Sequence, residues 1–171
     1  TLDSLTDTTN IARVWDVPLI PSQVIPGIQW KKSLGGSGED YLRSVIKSAD
    51  GSYIIAGSTN SQDGDVLVKK GNSDYWVMKL SPADGSIIWQ QSFGGSGNDE
   101  AYSIIESDDG AFVVAGQSYS NDGDLTSNQG RSDFWVVKLN SVDGRIIWQK
   151  NLGGSGDDAA YSITQGMDGA Y

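Results

Sequence analysis

The sequence predicts an all-β protein made of repeated four-stranded antiparallel units, best matched by the blades of a β-propeller. Three observations carry that expectation. Trp30, Trp89 and Trp148 stand at equal spacings of 59 residues (89 − 30 and 148 − 89), and the unit they mark recurs without insertion or deletion. Within each unit, short apolar runs alternate with Gly and Asp-Gly turns. No segment keeps apolar 3.6-residue periodicity over the roughly 10 residues that a helix needs.

A fixed period of this size marks one supersecondary unit that stacks on copies of itself, because it cannot bury its apolar surface alone. Residues 1–27 stand apart: Thr1–Asn10 are rich in Thr, Asp and Ser, and Pro18, Pro21 and Pro26 punctuate residues 11–27. They read as a lead-in, with Ala12–Ile20 as a possible edge strand. The units are then 28–86, 87–145 and the partial 146–171.

Taken in order, each unit predicts four strands. The first is the Ile-x-Trp run (Ile28–Leu34, Ile87–Phe93, Ile146–Leu152), ended by an identical Gly-Gly-Ser-Gly at Gly35, Gly94 and Gly153. The second is Ser44–Ser48, Ser103–Ser107 or Ser162–Gln165. Asp50-Gly51, Asp109-Gly110 and Asp168-Gly169 come next, and Asp-Gly between apolar runs is a strong hairpin signal. The third strand is Tyr53–Gly57 or Phe112–Gly116. A long polar loop leads to the fourth, Tyr75–Leu80 or Phe134–Leu139, and Asp84-Gly85 or Asp143-Gly144 returns the chain.

A blade packs on neighbours through both faces, which accounts for consecutive apolar residues such as Ile54-Ile55-Ala56 and Val113-Val114-Ala115. Alternation places Trp76 with Met78 and Leu80, and Trp135 with Val137 and Leu139, on one face. A β-solenoid is the alternative fold, although its coils are usually shorter. Propellers close with about four to eight blades. The remaining blades are therefore expected from a longer chain or from other copies.

Gly-Gly-Ser-Gly-x-Asp, a short strand, Asp-Gly, an apolar strand and then Ala-Gly resembles the surface β-propeller repeats of bacteria and archaea. These are the SBBP-type repeats and the similar repeats of secreted Bacteroidetes proteins. The Leu-x-x-x-Asp-Gly-x-Ile-Ile-Trp run is also similar to the tryptophan-bearing blade of quinoprotein-type propellers. The resemblance covers residues 28–171 and implies a propeller fold at a secreted or cell-surface location. It implies no catalytic residue.

Composition narrows the function. The chain has 171 residues, 22 glycines, six tryptophans and a net charge of −10. Such a surface has no basic patch to displace counterions from nucleic acid or to meet anionic lipid. No stretch approaches the roughly 20 apolar residues of a membrane-spanning helix. There is no cysteine and no histidine, which excludes disulfide scaffolds, thiol nucleophiles, Ser-His-Asp triads and most transition-metal sites. The chain opens without a charged-then-apolar leader, so any signal peptide is expected to lie outside this sequence or to have been removed.

The loops supply the candidate sites. Glycines can bring backbone N–H groups to a phosphate, but acids flank each Gly-Gly-Ser-Gly (Glu39, Asp40; Asp99, Glu100; Asp157, Asp158) and a turn is the expected role. Asp63-Gly64-Asp65 and Asp122-Gly123-Asp124 place two carboxylates around a glycine, a donor set suited to calcium. They read first as plain Asp-Gly turns, with calcium as the alternative. Asp74 and Asp133 are placed to join such a site or to cap a turn.

Paired carboxylates are the machinery of glycoside hydrolysis, yet each acid here has an equivalent in another unit. Positions that break the repeat are more telling: Arg43 against Tyr102 and Tyr161, Val66–Lys70 against Leu125–Gln129, and Asn72 against Arg131. Tyr41 and Tyr119 offer faces for sugars. The expected function is a secreted or cell-surface module that binds protein or carbohydrate. A propeller hydrolase or lyase and an architectural spacer are the alternatives.

Overall fold

The computed structural model describes residues 27–125 and 127–171, which form eight strands and no helix. The first four are β1 (Asp40–Lys47), β2 (Tyr53–Thr59), β3 (Asp74–Leu80) and β4 (Ile87–Phe93). They make one antiparallel sheet in the order β1-β2-β3-β4. The second sheet repeats it with β5 (Asp99–Glu106), β6 (Phe112–Ser118), β7 (Asp133–Leu139) and β8 (Ile146–Leu152). Neither sheet closes on itself.

The expected strands within these sheets appear, β4 and β8 with the bounds read from sequence. The expected turns appear too. Gly51, Gly85, Gly110 and Gly144 take φ of 88°, 69°, 78° and 72°, the left-handed region where a side chain is strained.

Two expectations need correction. Ile28–Leu34 and Ser162–Gln165 form no strand. A strand needs a partner's N–H and C=O groups. By the repeat, the partner of Ile28–Leu34 would fall at residues 15–21, outside the described residues, as does the suggested edge strand Ala12–Ile20. The partner of Ser162–Gln165 begins only at Tyr171. The unit's frame also differs from that of the sheets. The Ile-x-Trp run does not open a sheet: Ile87–Phe93 closes the first and Ile146–Leu152 closes the second.

The sheets pack face to face, and opposite faces meet. Ile54, Ala56, Tyr75, Val77 and Phe93 of the first sheet join Ile104, Phe112, Val114, Trp135, Val137 and Leu139 of the second in one core. Tyr75 is fully buried with its ring centroid 4.8 Å from that of Trp135. Its hydroxyl donates to the Trp135 carbonyl at 3.0 Å. The other face of the first sheet gathers Trp76, Met78 and Leu80, with Leu34, Tyr53 and Ile55 against them. That grouping is the one alternation predicts. Close approach between the sheets centres on β5, which lies against β1, β2 and β3.

One joint recurs three times. The Trp30 indole N–H donates to the Pro82 carbonyl at 3.1 Å and the Trp89 indole N–H to Ser141 at 3.2 Å, equivalent positions. Trp30 meets Tyr53, Trp89 meets Phe112 and Trp148 meets Tyr171, with centroids 5.8, 6.2 and 5.8 Å apart. Residues 28–34 thus dock on the first sheet as β4 docks on the second, although they form no ladder.

Trp135→Ala is expected to cost about 3–5 kcal/mol, because it empties the centre of the shared core. Tyr75→Phe, which removes one buried hydrogen bond, is expected to cost about 1 kcal/mol. Denaturant unfolding measures both, and equal losses would show that Trp135 is not the keystone of the core.

Candidate functional site

The two ends of each sheet differ in chemistry. Asp-Gly hairpins close one end. The other carries the β2–β3 or β6–β7 loop and the Gly-Gly-Ser-Gly connection, so all the acids singled out in the loops collect there.

Each of the first two Gly-Gly-Ser-Gly amide runs is answered by side-chain oxygens. Gly94 donates to Asp124 at 3.0 Å, Gly95 to Asp99 at 2.9 Å, Ser96 to Asp122 at 2.7 Å and Gly97 to the Ser120 hydroxyl at 2.9 Å. The earlier loop repeats this, with Gly35 to Asp65, Gly36 to Asp40, Ser37 to Asp63 and Gly38 to Ser61. Successive N–H groups do make an anion-binding concavity, and the chain fills it with its own carboxylates. Asp63, Asp65, Asp122 and Asp124 therefore hold turns together. Among the described residues, no group of three or more His, Cys, Asp or Glu side chains is disposed to hold a metal ion.

Asp74 does not join Asp63 and Asp65. It is buried at the next glycine loop, where its Oδ1 and a carboxylate oxygen of Asp99 both crowd the place where a Cβ on Gly94 would stand. Asp74 accepts from the Lys70 N–H at 2.6 Å. Asp99 accepts from the Ser118 and Ser120 hydroxyls as well as from Gly95. Burial raises both carboxyls above their ordinary range despite these bonds, and Asp99 further raises Asp74. Asp40 differs: its partial burial acts upward, but bonds from Thr59, Gly36 and Ser61 outweigh that and lower it.

Of the residues that break the repeat, Arg43 and Tyr102 lie on the first strands of their sheets, β1 and β5. Pairing of β1 with β2 skips Arg43, and pairing of β5 with β6 skips Tyr102, so each is the extra residue of a β-bulge. Glycine makes the bulge possible. A Cβ on Gly57 would run into the Tyr41 carbonyl, and one on Gly116 into the Glu100 carbonyl. Bulges re-aim a side chain, and here they stack equivalent positions into a column. The Arg43 guanidinium lies 5.0 Å from the Tyr41 ring centroid and 5.9 Å from that of Tyr102. Tyr102 stacks on Tyr161 at 5.0 Å with 25° between planes. Tyr161 is 73% exposed. The Tyr102 hydroxyl donates to Glu100 at 2.7 Å, and burial with that bond raises its pKa, so it stays a neutral phenol.

Asn72 and Arg131 lie apart from this column, at the glycine-loop end. Their N–H groups donate to the Gly97 and Gly156 carbonyls at 3.0 and 3.1 Å, and Arg131 pairs with Asp157 at 3.3 Å on the surface. Tyr119 is also at that end, half-exposed in the β6–β7 loop. The burial of Asp99 and Asp133 is not anticipated from sequence. The signal available is the recurrence of Thr or Ser at positions 59 and 118 and of Ser at 61 and 120, hydroxyls that supply Asp40 and Asp99.

Neither the family models nor the curated proteins compared with this chain give a match.

The raised carboxyls set the sign of a pH dependence. A group with a raised folded pKa adds stability that is full below its unfolded value of about 3.9 and is lost as pH rises through the folded value. The stability of the wild-type chain relative to Asp74→Asn, which cannot ionise, is therefore expected to fall as pH rises from about 4 to about 7. Urea unfolding of both proteins across that range measures it, and a difference that is flat or grows would refute the assignment.

Proposed function

We propose that the chain forms consecutive blades of a β-propeller serving as a secreted or cell-surface binding module, and that its ligand docks along Arg43, Tyr102 and Tyr161. The column carries this reading. Arg43, Tyr102 and Tyr161, the one set of equivalent positions that changes from Arg to Tyr, share one line, with Arg43 and Tyr102 raised from the ladder by bulges.

Two features support blades over solenoid coils. Each sheet is an antiparallel meander of four strands, and the two sheets meet through different faces. A face-to-opposite-face contact leaves equivalent faces outward, so the same contact can repeat. Phe134, Val136 and Ala115 stand outward where Tyr75, Val77 and Ala56 stand in the joint. The approach of β5 to three strands of the preceding sheet also suits blades drawn together at their first strands. In that arrangement the column lines the central passage.

The column suits carbohydrate or a protein segment with exposed polar groups. A tyrosine face takes the C–H side of a sugar ring, and a guanidinium offers five forked donors to its hydroxyls. Arg43, held over two rings, has no salt bridge among the described residues.

Screening against a polysaccharide and protein panel, followed by calorimetry, tests this. Tyr102→Ala and Arg43→Ala are each expected to weaken the retained ligand about tenfold, which corresponds to about 1.4 kcal/mol. A ligand that binds both variants as tightly as the wild type would overturn the site. A panel with no binder would favour an architectural spacer.

A further inference from the structure

The departure of Val66–Lys70 from Leu125–Gln129 has no part in the column, and it changes how the β2–β3 loop lies on β4. Both loops are anchored by a buried apolar residue, Val66 in one and Leu125 in the other. Beyond that anchor they diverge. In the second sheet the Asn151 side-chain amide donates to the Ser127 carbonyl, and that of Asn128 to the Ser118 carbonyl at 3.1 Å. Gln149 adds a bond to the Asp124 carbonyl. In the first sheet Gln90 repeats only the last of these, to the Asp65 carbonyl at 2.7 Å. Ser92, which lacks an amide, takes the place of Asn151, and Lys69 that of Asn128.

The result is a cleft of about 460 Å³ between this loop and β4, lined by Leu67, Val68, Lys70, Gln90, Gln91 and Ser92. Leu67 and Val68 are 77% and 54% exposed, apolar where the repeat has Thr126 and Ser127. Successive strand residues point to opposite faces, so a cleft that touches Gln90, Gln91 and Ser92 straddles the edge of β4. That edge is open. β4 is the last strand of its sheet, and among the described residues no backbone hydrogen bond joins it to the loop. Charge singles out the cleft as well: in a chain of net charge −10, its lining holds a lysine and no acid. Lys70 pairs with Asp124, whereas its neighbour Lys69 makes no ion pair among the described residues.

An open strand edge beneath an apolar shelf is a site for an added strand, because main-chain groups supply affinity and alternate side chains supply specificity. We infer that the edge of β4 binds an extended peptide segment in which apolar and acidic residues alternate along one face. The apolar residues lie beneath Leu67 and Val68, and the acidic ones meet Lys69 and Lys70. The edge of β8 is no such site, since its loop is tied down by Asn151 and Asn128 and offers no exposed apolar pair. β4 and β1 end the strand order on opposite sides, so the cleft is separate from the aromatic column and stands whether or not the column binds.

Fluorescence anisotropy of the full chain with a labelled peptide of repeated Thr-Val-Thr-Glu, whose Val and Glu share one face, tests the site. The chain is expected to bind it, and to bind the peptide with Lys for Glu about tenfold more weakly. Ser92→Asn gives the first sheet the residue that ties down the loop of the second, and should weaken binding about tenfold. Leu67→Thr combined with Val68→Ser should do the same. Both variants copy residues that the second sheet carries, and thermal melting checks that they fold. Val142→Ser, at an exposed apolar residue of the hairpin end, should leave binding unchanged. Hydrogen exchange should slow on peptide addition at the amides of β4 and not at those of β8. No binding, equal binding of the Lys peptide, undiminished binding in either folded cleft variant, or equal slowing in β8 would each overturn the inference. Self-association that Ser92→Asn abolishes, without peptide binding, would overturn it too and assign the edge to a second copy of the chain.

Discussion

The contact between Tyr75 and Trp135 is the interaction on which the rest of the structure depends. It joins one face of a sheet to the opposite face of the next. A sheet that is apolar on both sides cannot stand alone, so each unit depends on its neighbours for burial. Because the meeting faces differ, the same step can be taken again without new chemistry. The repeated Trp30, Trp89 and Trp148 joints show that step holding even where residues 28–34 form no strand. Packing between units is therefore less demanding than pairing within them.

That stacking brings each glycine loop onto the acids of the loop beside it. Four consecutive N–H groups, from Gly94 to Gly97, take oxygens from Asp124, Asp99, Asp122 and Ser120. A motif that elsewhere can cradle a phosphate is here closed by internal carboxylates, and the loop becomes a clasp between strands. The cost is charge. Burial of Asp74 and Asp99 beside one another raises both carboxyls. The hydroxyls of Ser118 and Ser120 offset part of that, and so does Lys70.

Much of this fold is legible in the residues, since turn chemistry is local. Asp-Gly predicts each hairpin, and period-two alternation separates Trp76 from Tyr75. Partnership is not local, which is why Ile28–Leu34 looks like a strand and is none. The frame fails for a related reason: a repeat has no natural first residue, and only the ladder shows that Ile87–Phe93 closes a sheet. The candidate site is legible in part. Departure from the repeat singles out Arg43, Tyr102 and Tyr161, but nothing in their spacing announces a bulge. The Ala-Gly of β2 and β6 is its trace, because only a residue without a Cβ admits the Tyr41 or Glu100 carbonyl.

In a repeat protein, equivalence and departure carry different information. Residues kept in every unit answer demands that every unit faces, such as turns, clasps and the tryptophan joint. A departure at a buried position must be compensated where it occurs. At the second glycine loop Gln129 stands where Lys70 stood, and Asn128, in the place of Lys69, takes the Gly130 N–H whose counterpart at Gly71 serves Asp74. Asp133 keeps the Gln129 N–H but stays fully buried with its other oxygen unpartnered. Drift at an exposed residue leaves no such demand, whereas a change beside a buried carboxyl must be met by a new hydrogen-bond donor or by a proton on the group itself.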